Sequence, residues 1–246
     1  MTQTAPHQWQ DHAPTSVLLD GFHALKHALR FGAEVRAAVA TDKAAALALA
    51  GKLAPDVAGE LDRLLVEVDA RTLRELVPRV HPTGVAALAA RRDRAVNLAA
   101  LDGRTAPVVV LDNPRNLGNI GAVVRLAAGT GAAGVLTTGD MDPWHPNAVR
   151  AGAGLHYATV VERVALDELP AGPLFALDPE GEDIRSLTVP DGALLAFGSE
   201  RHGISPELRA RADRLVSLPM RPQVSSYNLA TSVAMTLFHW TCGSAP

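Results

Sequence analysis

The chain has 246 residues, of which 48% are hydrophobic, 20% are charged and only 4% are aromatic. This composition excludes a disordered chain, a collagen-like repeat and a disulfide-rich scaffold. The formal net charge is −3, so no overall basic excess points to nucleic acid and no strong acidic excess points to a polycation. The length suits one large domain or two small ones, and we expect two.

The sequence carries no sign of secretion or of a membrane span. Cys242 is the single cysteine and has no partner for an internal disulfide, and residues 1–6 lack a basic stretch followed by an apolar one. Every apolar run that approaches about 18 residues is broken by Gly, Pro, Asn or Arg. We therefore expect a protein of the reducing cytoplasm that does not cross a membrane.

The first third of the chain predicts a flexible tail and a small α/β domain. Residues 1–16 are rich in Gln, His, Thr and Pro and show no apolar period, which is typical of a tail. Helical and strand patterns then alternate over residues 17–90, with helices predicted at 21–31, 43–51, 56–64 and 72–77 and strands at 34–40, 65–68 and 84–89. The polar, glycine-containing stretch 91–106 predicts a linker.

A second alternation predicts an α/β domain over residues 107–246. The uncharged run Val108–Leu111 is typical of a buried parallel strand. Further strands are predicted at 134–137, 173–177, 193–197 and 214–218, with helices at 119–128 and 226–241. The last helix places apolar residues on one stripe at Leu229, Val233, Leu237 and Trp240.

Three loops that follow predicted strands are candidate ligand sites, because open α/β sheets bind ligands at the carboxyl ends of their strands. In the first loop, residues 112–121, we expect Asn119 to cap the following helix, with Arg125 near the same helix end. A helix N-terminus beside an arginine attracts phosphate. The glycine spacing fits neither a dinucleotide site nor a P-loop, and an ordinary capped helix with a surface arginine explains the same residues.

The second and third loops are also open to two interpretations. Residues 197–207 place glycines on both sides of Glu200, which suits either close approach to a ligand or a plain strand-to-helix turn. In residues 218–228 we expect Ser226 to cap the last helix and Asn228 to keep its side-chain amide available. No spacing of His, Cys, Asp or Glu predicts a metal site, and no nucleophile elbow occurs.

Together the three loops resemble the three motifs of the SpoU/TrmH family of RNA ribose 2′-O-methyltransferases, within the SPOUT class. The first motif, Asn-x-Gly-x-x-x-Arg, is met by Asn119, Gly121 and Arg125. The second, Gly-x-Glu-x-x-Gly-Leu-Ser, is met by Gly198, Glu200, Gly203 and Ser205, with Ile204 in place of Leu. The third, Ile-Pro-Met followed by Ser-Leu-Asn, is similar to Leu218-Pro219-Met220 and Ser226-Tyr227-Asn228.

The resemblance extends beyond the motifs and has two departures. Residues 149–156 resemble the family's Arg-Ala-Ser-x-Gly-Ala segment, and residues 17–90 resemble its substrate-binding domain, a ribosomal-protein-like α/β module. The departures are Tyr227 in place of Leu, and Arg221-Pro222 where a small residue and Gly are common. We expect both to affect the shape of the pocket more than the chemistry.

The family resemblance implies a fold and a reaction. The fold is a C-terminal α/β domain of the SPOUT class with a trefoil knot, preceded by the small α/β domain, in a homodimer with active sites at the subunit interface. The reaction transfers a methyl group from S-adenosylmethionine to a ribose 2′-hydroxyl, without a metal. The additional N-terminal domain favours ribosomal RNA over transfer RNA as the substrate.

The resemblance also implies roles for individual residues. The catalytic residues would be Asn119, Arg125, Glu200, Ser226 and Asn228, and the cofactor would contact Gly198, Leu218, Met220 and Tyr227. A guanidinium stays charged, so Arg125 is expected to bind an RNA phosphate and stabilise developing alkoxide charge rather than act as a base. From local charge, we expect RNA to contact Arg91, Arg92, Arg94, Arg115 and Arg150.

Two other functions fit the same fold. A non-catalytic RNA-binding or assembly factor is the main alternative, but such a protein has no need of all five expected catalytic residues. Methylation of a base, as in another branch of the SPOUT class, is disfavoured by the arginine of the first motif and the Ser-x-Asn of the third.

Overall fold

The computed structural model describes residues 5–243, which form two compact units. One unit runs to Arg92 and also takes in Trp144–Ala158; the other holds Asp93–Pro143 and resumes at Thr159. Within residues 5–243, no helix is both long and apolar enough to cross a membrane.

Short helices and strands alternate along both units. The helices are α1 (Ala5–His12), α2 (Phe22–Arg30), α3 (Lys43–Leu53), α4 (Ala58–Leu64), α5 (Ala70–Leu76), α6 (Arg94–Ala99), α7 (Leu117–Thr130), α8 (Pro146–Ala151), α9 (Pro206–Arg211) and α10 (Leu229–Gly243). The strands are β1 (Ser16–Asp20), β2 (Val35–Ala40), β3 (Leu65–Glu67), β4 (Val85–Ala90), β5 (Val108–Leu111), β6 (Gly134–Thr137), β7 (Val160–Arg163), β8 (Leu174–Asp183), β9 (Leu194–Phe197) and β10 (Arg214–Ser217).

The first unit is built on a four-stranded mixed sheet in the order β1-β4-β2-β3. Strand β4 runs antiparallel to both β1 and β2, whereas β2 and β3 are parallel. Val85–Ala89 are all buried, which agrees with the nearly continuous apolar run that the sequence shows there. The sheet and its helices therefore form the α/β module that the alternating pattern predicted.

The prediction of a flexible tail over residues 1–16 is wrong for residues 5–16. This segment forms α1, one turn of 3-10 helix and the start of β1. The indole of Trp9 is only 3% exposed and packs in a cluster with Val39, Leu73 and Leu88. Burial of one large aromatic side chain stabilises the otherwise polar segment against the sheet, which a search for periodic apolar residues does not detect. Residues 1–4 lie outside the described residues.

The segment 144–158 belongs to the first unit, although it lies within the range 107–246 that the sequence assigned to one domain. Its Arg150 forms an ion pair of 3.1 Å with Asp20 of β1. The Tyr157 hydroxyl donates a hydrogen bond to the carbonyl of Ala90 at 2.9 Å. Burial raises the pKa of Tyr157, so the hydroxyl keeps the proton that it donates. Sequence pattern assigns an element type but does not show which core a segment joins.

The stretch 91–106, predicted as a linker, contains helix α6. The Asp93 side chain caps this helix by accepting a hydrogen bond from the backbone N–H of Val96 at 3.1 Å. Asn97 of the same helix is buried and donates to Glu162 of β7 at 2.9 Å. This stretch is therefore packed structure of the second unit over most of its length.

The second unit is built on a six-stranded sheet in the order β10-β8-β9-β5-β6-β7, in which all paired strands are parallel. Val108–Leu111 of β5 are completely buried, as the uncharged run predicted. Strand β7 was not predicted, because only its first two residues are apolar and its buried Glu162 interrupts the pattern. Strand β8 also runs six residues beyond its predicted end, to Asp183.

The chain builds the sheet outward from β5 in both directions. From this central strand the chain adds β6 and β7 on one side, and the later strands β9, β8 and β10 lie on the other. Such a change of direction opens a crevice at the carboxyl ends of the strands, where ligands bind in α/β folds. The three loops selected from the sequence follow β5, β9 and β10, and therefore belong to this edge.

Candidate active site

A cavity of about 560 Å³ lies at the carboxyl edge of the six-stranded sheet. Its wall combines apolar side chains with polar groups from the loops after β9 and β10. It is lined by Leu177, Asp178, Pro179, Phe197, Gly198, Ser199, Glu200, Arg201, Gly203, Val216, Leu218, Met220, Ser225, Ser226, Tyr227, Asn228, Leu229 and Ser232. An apolar cavity with a few converging polar groups is the usual form of a small-molecule site.

All four residues expected to contact a cofactor line this cavity: Gly198, Leu218, Met220 and Tyr227. At Gly198 the second loop folds back, and Ser199 and Gly203 exchange two backbone hydrogen bonds of 3.0 Å. A Cβ atom at Gly198 would lie 1.9 Å from the carbonyl carbon of Gly203. Only glycine fits there, because the backbone of Gly203 and Ile204 occupies the space that a side chain would need.

A chain of hydrogen bonds connects the three loops through Asn119. The Asn119 amide donates to Glu200 at 2.7 Å, and its carbonyl oxygen accepts from the Asn228 amide at 3.2 Å. The second carboxylate oxygen of Glu200 accepts from the backbone N–H of Arg115 at 3.3 Å. One residue from each motif is thus held in a fixed relation to the other two, and the structure brings these predicted site residues together.

Two predicted helix caps are displaced by two or three residues. Asn116, not Asn119, caps α7, because its side chain accepts from the backbone N–H of Asn119 at 3.1 Å. Asn228, not Ser226, caps α10, because its side-chain oxygen accepts from the N–H of Ala230 at 2.9 Å. Both shifts in cap position leave a predicted site residue available at the site. Asn119 is left with its whole side chain for Glu200 and Asn228, and Ser226 lines the cavity.

The third loop is closed on itself. The Tyr227 hydroxyl donates to the carbonyl oxygen of Pro219 at 3.0 Å, which ties the two ends of the loop together. Between them, the N–H of Val224 donates to the backbone carbonyl oxygen of Arg221 at 3.1 Å, and Gln223 adopts a positive φ of 74°. Tyr227, which replaces the leucine of the family pattern, therefore holds this loop closed through its hydroxyl.

Arg125 stands apart from the cavity wall. It lies on α7, six residues after Asn119, and its side chain is exposed. Within residues 5–243, no acceptor or carboxylate pairs with its guanidinium. The structure therefore keeps a free positive charge on the helix that positions Asn119, but it does not place Arg125 among the lining residues.

Most of the arginines expected to bind RNA have partners inside their own unit. In the first unit, Arg92 donates to the carbonyl of Tyr157 at 2.5 Å, Arg150 pairs with Asp20, and the guanidinium of Arg91 lies 5.5 Å from the centre of the Trp144 ring. In the second unit, Arg94 pairs with Glu168 at 2.7 Å and Arg115 lies 3.9 Å from Asp140. RNA would therefore compete with these internal contacts for the side chains.

Sequence reasoning missed a buried carboxylate that connects the first two loops. Asp112 is only 5% exposed and accepts hydrogen bonds from the Thr138 hydroxyl at 2.9 Å and from the N–H of Ser205 at 2.7 Å. Ser205 caps α9, so Asp112 fixes the end of the second loop. The signal was an aspartate directly after an uncharged strand, a position that a solvated loop residue also occupies.

No group of three or more His, Cys, Asp and Glu side chains in residues 5–243 is arranged to hold a metal ion. The chemistry that this edge offers is instead hydrogen bonding and charge. Two carboxylates, Asp178 and Glu200, border a partly apolar cavity, which suits a ligand with an apolar ring and a cationic centre.

Comparison with known proteins shows that the region carrying the three loops matches a protein family. The model of the SpoU rRNA Methylase family matches residues 106–238. A Polaromonas tRNA (cytidine(34)-2′-O)-methyltransferase is 37% identical over 147 residues, which cover 53% of this chain and 86% of that protein. A Streptomyces laurentii 23S rRNA (adenosine(1067)-2′-O)-methyltransferase is 32% identical over 149 residues, covering 56% of this chain. The match spans only 55% of the S. laurentii protein and 50% of a Streptomyces viridochromogenes relative.

A solved structure agrees over nearly the whole chain. The SpoU methyltransferase AviRb from S. viridochromogenes, in complex with the cofactor AdoMet, superposes with a TM-score of 0.77 at 23% identity and covers 98% of both chains. This likeness extends the shared fold to the first unit. Because the matched family region takes in more than half of the sequence and all three motif loops, the chain belongs to the SpoU rRNA methylase family.

Proposed function

We propose that this protein transfers a methyl group from S-adenosylmethionine to a ribose 2′-hydroxyl in RNA, with ribosomal RNA favoured over transfer RNA. The observation that carries the proposal is the hydrogen-bonded set Glu200–Asn119–Asn228, which joins one residue of each family motif at the cavity. The named activities of the relatives support the same reaction class, and both ribosomal and transfer RNA enzymes occur among them.

The cavity residues fit S-adenosylmethionine. Gly198 contributes backbone alone to the cavity wall, and Leu218, Met220 and Tyr227 provide apolar surface for an adenine ring. The carboxylates of Asp178 and Glu200 suit the cationic part of the molecule. When bound, the cofactor supplies an activated methyl group on a sulfonium. The protein is left with the tasks of alignment and of stabilising the hydroxyl as it loses its proton.

The residues of the hydrogen-bonded set act by positioning. Glu200 holds the Asn119 amide, and Asn119 in turn fixes the Asn228 amide beside Ser226 at the cavity. Arg125, which has no partner in the described part of the chain, binds an RNA phosphate and stabilises charge that develops on the 2′-oxygen. The proton leaves to that phosphate or to water, because a guanidinium does not act as a base.

Three further features belong to the proposal. The second unit carries a trefoil knot, which the all-parallel sheet order and the family membership support.

The protein works as a homodimer, for which the apolar side chain of Phe238, 69% exposed on α10, offers contact surface. Residues 17–90 serve as the RNA substrate-binding domain, residues 107–246 without the segment 144–158 serve as the catalytic domain, and the protein acts in the cytoplasm. Arg91, Arg92, Arg94, Arg115 and Arg150 stay candidate RNA contacts, in competition with their internal pairs.

A methyl-transfer assay with separated RNA classes tests the proposal. Purified protein is incubated with tritium-labelled S-adenosylmethionine and with ribosomal RNA or transfer RNA from cells that lack the protein. We expect label in ribosomal RNA, at a 2′-O-methylated nucleoside after digestion. Label in transfer RNA alone would move the substrate to the other class, whereas label on a base or in neither RNA would contradict the reaction.

A further inference from the structure

The arginines of the second unit fall into two groups, those that the fold uses and those that it leaves free. This unit has eleven arginines and no lysine. Eight arginines pair with a carboxylate or a backbone carbonyl of the unit: Arg94, Arg104, Arg115, Arg163, Arg185, Arg209, Arg211 and Arg214. Three have no such partner in the described part of the unit: Arg125, Arg201 and Arg221.

The three free arginines are not spread at random along the unit. Arg125 lies on α7 after the first loop, Arg201 lines the cavity in the second loop, and Arg221 directly follows the lining residue Met220 in the third. All three side chains are exposed. In this acidic unit, the arginines without a hydrogen-bond or ion-pair partner among the described residues all lie on or after the loops that carry the family motifs.

The two loop arginines are held in place by their backbones. The Ser199–Gly203 backbone pair fixes the turn that presents Arg201. The Tyr227–Pro219 hydrogen bond closes the loop that carries Arg221. Neither carboxylate that lines the cavity forms an ion pair with Arg201: Asp178 lies 3.6 Å from Arg209, and Glu200 accepts from the Asn119 side chain and the Arg115 N–H.

We infer that Arg201 and Arg221 form a phosphate-binding pair at the mouth of the cavity, which holds the RNA backbone next to the reacting nucleotide. This inference rests on the proposed function, since it takes RNA as the substrate of the same cavity. A planar guanidinium suits phosphodiester oxygens, and an exposed, unpaired one loses no internal contact when it binds. Arg201 could instead bind the carboxylate of the cofactor, because it lines the same cavity. The experiment below distinguishes binding of an RNA phosphate from binding of this carboxylate.

The experiment compares salt dependence of RNA binding with cofactor affinity. Binding of a fluorescein-labelled oligouridylate is titrated at KCl concentrations from about 50 to 200 mM for wild type, Arg201→Gln, Arg221→Gln and the double variant. Affinity for S-adenosylhomocysteine is measured by calorimetry on the same proteins. Arg185→Gln, which removes an exposed arginine paired with Asp183, is the matched control.

We expect each loop substitution to lower the slope of log affinity against log salt by about 0.7, and to weaken RNA binding about fivefold at about 0.1 M salt. The double variant should lose about 25-fold, with S-adenosylhomocysteine affinity and the control unchanged. A loss of S-adenosylhomocysteine affinity with an unchanged RNA slope would assign Arg201 to the cofactor and overturn the inference. Equal slopes in wild type and the double variant would overturn it as well.

Methylation of ribosomal RNA by the wild-type protein is measured in parallel. If wild type methylates RNA but the slopes do not change, only the phosphate pair is wrong. If wild type neither methylates nor binds RNA, the proposed function itself fails.

Discussion

The first unit and the carboxyl edge of the second unit arrange their polar side chains differently. In the first unit, charged groups pair across secondary-structure elements, as in Arg30–Asp56 at 2.6 Å, Lys43–Asp62 at 3.1 Å and Arg150–Asp20 at 3.1 Å. At the carboxyl edge of the second unit, polar groups instead form one connected set around a cavity, and three arginines have no partner among the described residues. Ion pairs between elements of one unit are part of its fold. Polar groups that gather at the carboxyl ends of strands are typical of a ligand site.

This contrast makes a general prediction for substitutions. Changes in the first unit should alter the free energy of unfolding and leave the rate of the chemical step nearly constant. Changes at the carboxyl edge should alter binding or rate at a nearly constant stability, except where backbone packing itself is disturbed.

Removal of the Trp9 side chain should give the largest effect on stability. Trp9→Ala empties a site that is only 3% exposed, so we expect a loss of about 3 kcal/mol in the free energy of unfolding. Urea denaturation measures this loss, and Trp9→Phe should recover part of it. The single-turnover methylation rate should stay within about twofold of wild type. An unchanged denaturation curve would mean that α1 does not contribute to the core.

Substitution of Arg125 should give the largest effect on rate. Arg125→Ala removes a charge that has no structural partner in the described residues, so stability should not change. We expect the single-turnover rate to fall by about 10² to 10³, the usual cost of losing one group that stabilises transition-state charge. Arg125→Lys should recover only a small part, because a lysine lacks the planar fork. Full activity of Arg125→Lys would show that a point charge suffices.

A pair of glycine substitutions should separate an effect on the cavity from an effect at a helix position outside it. Gly198→Ala places a Cβ atom 1.9 Å from Gly203, so the second loop must shift at a cost of about 1 to 3 kcal/mol, and S-adenosylhomocysteine binding should be lost. Gly129→Ala on α7 meets nothing within 4 Å and should be neutral or stabilising by up to about 1 kcal/mol. Calorimetry measures both quantities. Normal cofactor affinity in Gly198→Ala would remove that loop from the binding site.

The smallest predicted effect is a pH dependence in the first unit. The His27 ring lies 2.8 Å from the carbonyl oxygen of Ala153, and burial lowers its pKa below the ordinary value. The unfolded chain therefore takes up a proton at this group more readily than the folded one, so stability is lost as the pH falls through the ordinary histidine range. His27→Gln should flatten the dependence of the unfolding midpoint on pH between about 5 and 7. The methylation rate at neutral pH should not change, and an equally steep dependence in the variant would assign the acid lability to other groups.

The sequence predicted what depends on local pattern and missed what depends on a distant partner. Strands β5 and β6 were predicted with their observed ends, because a run of buried residues is visible in the sequence. The cavity residues Gly198, Leu218, Met220 and Tyr227 were found through the family motifs rather than through pattern alone. By contrast, the burial of Trp9 and the pairing of Arg150 with Asp20 depend on which elements meet, and one sequence does not show this.

Errors in the predicted site also arose where the outcome depends on the three-dimensional structure rather than on local sequence. Asn116 and Asn119 are equally good capping residues by type, and only the observed helix start decides between them. The same holds for Ser226 and Asn228. Asp112 was overlooked because its two partners, Thr138 and Ser205, are distant in sequence. Arg201 and Arg221 became distinct from the other arginines only when the pairing of each one was known.

The position of the transferred methyl group on RNA distinguishes ribose methylation from base methylation. RNA labelled by the wild-type protein with tritiated S-adenosylmethionine is hydrolysed in alkali, which cleaves only beside a free 2′-hydroxyl. We expect the label in alkali-resistant dinucleotides, and we expect Arg125→Ala, tested alongside, to transfer about 10² to 10³ times more slowly. Label in mononucleotides would place the methyl group on a base and contradict ribose methylation. Absence of label from RNA that the protein binds would contradict methyl transfer altogether.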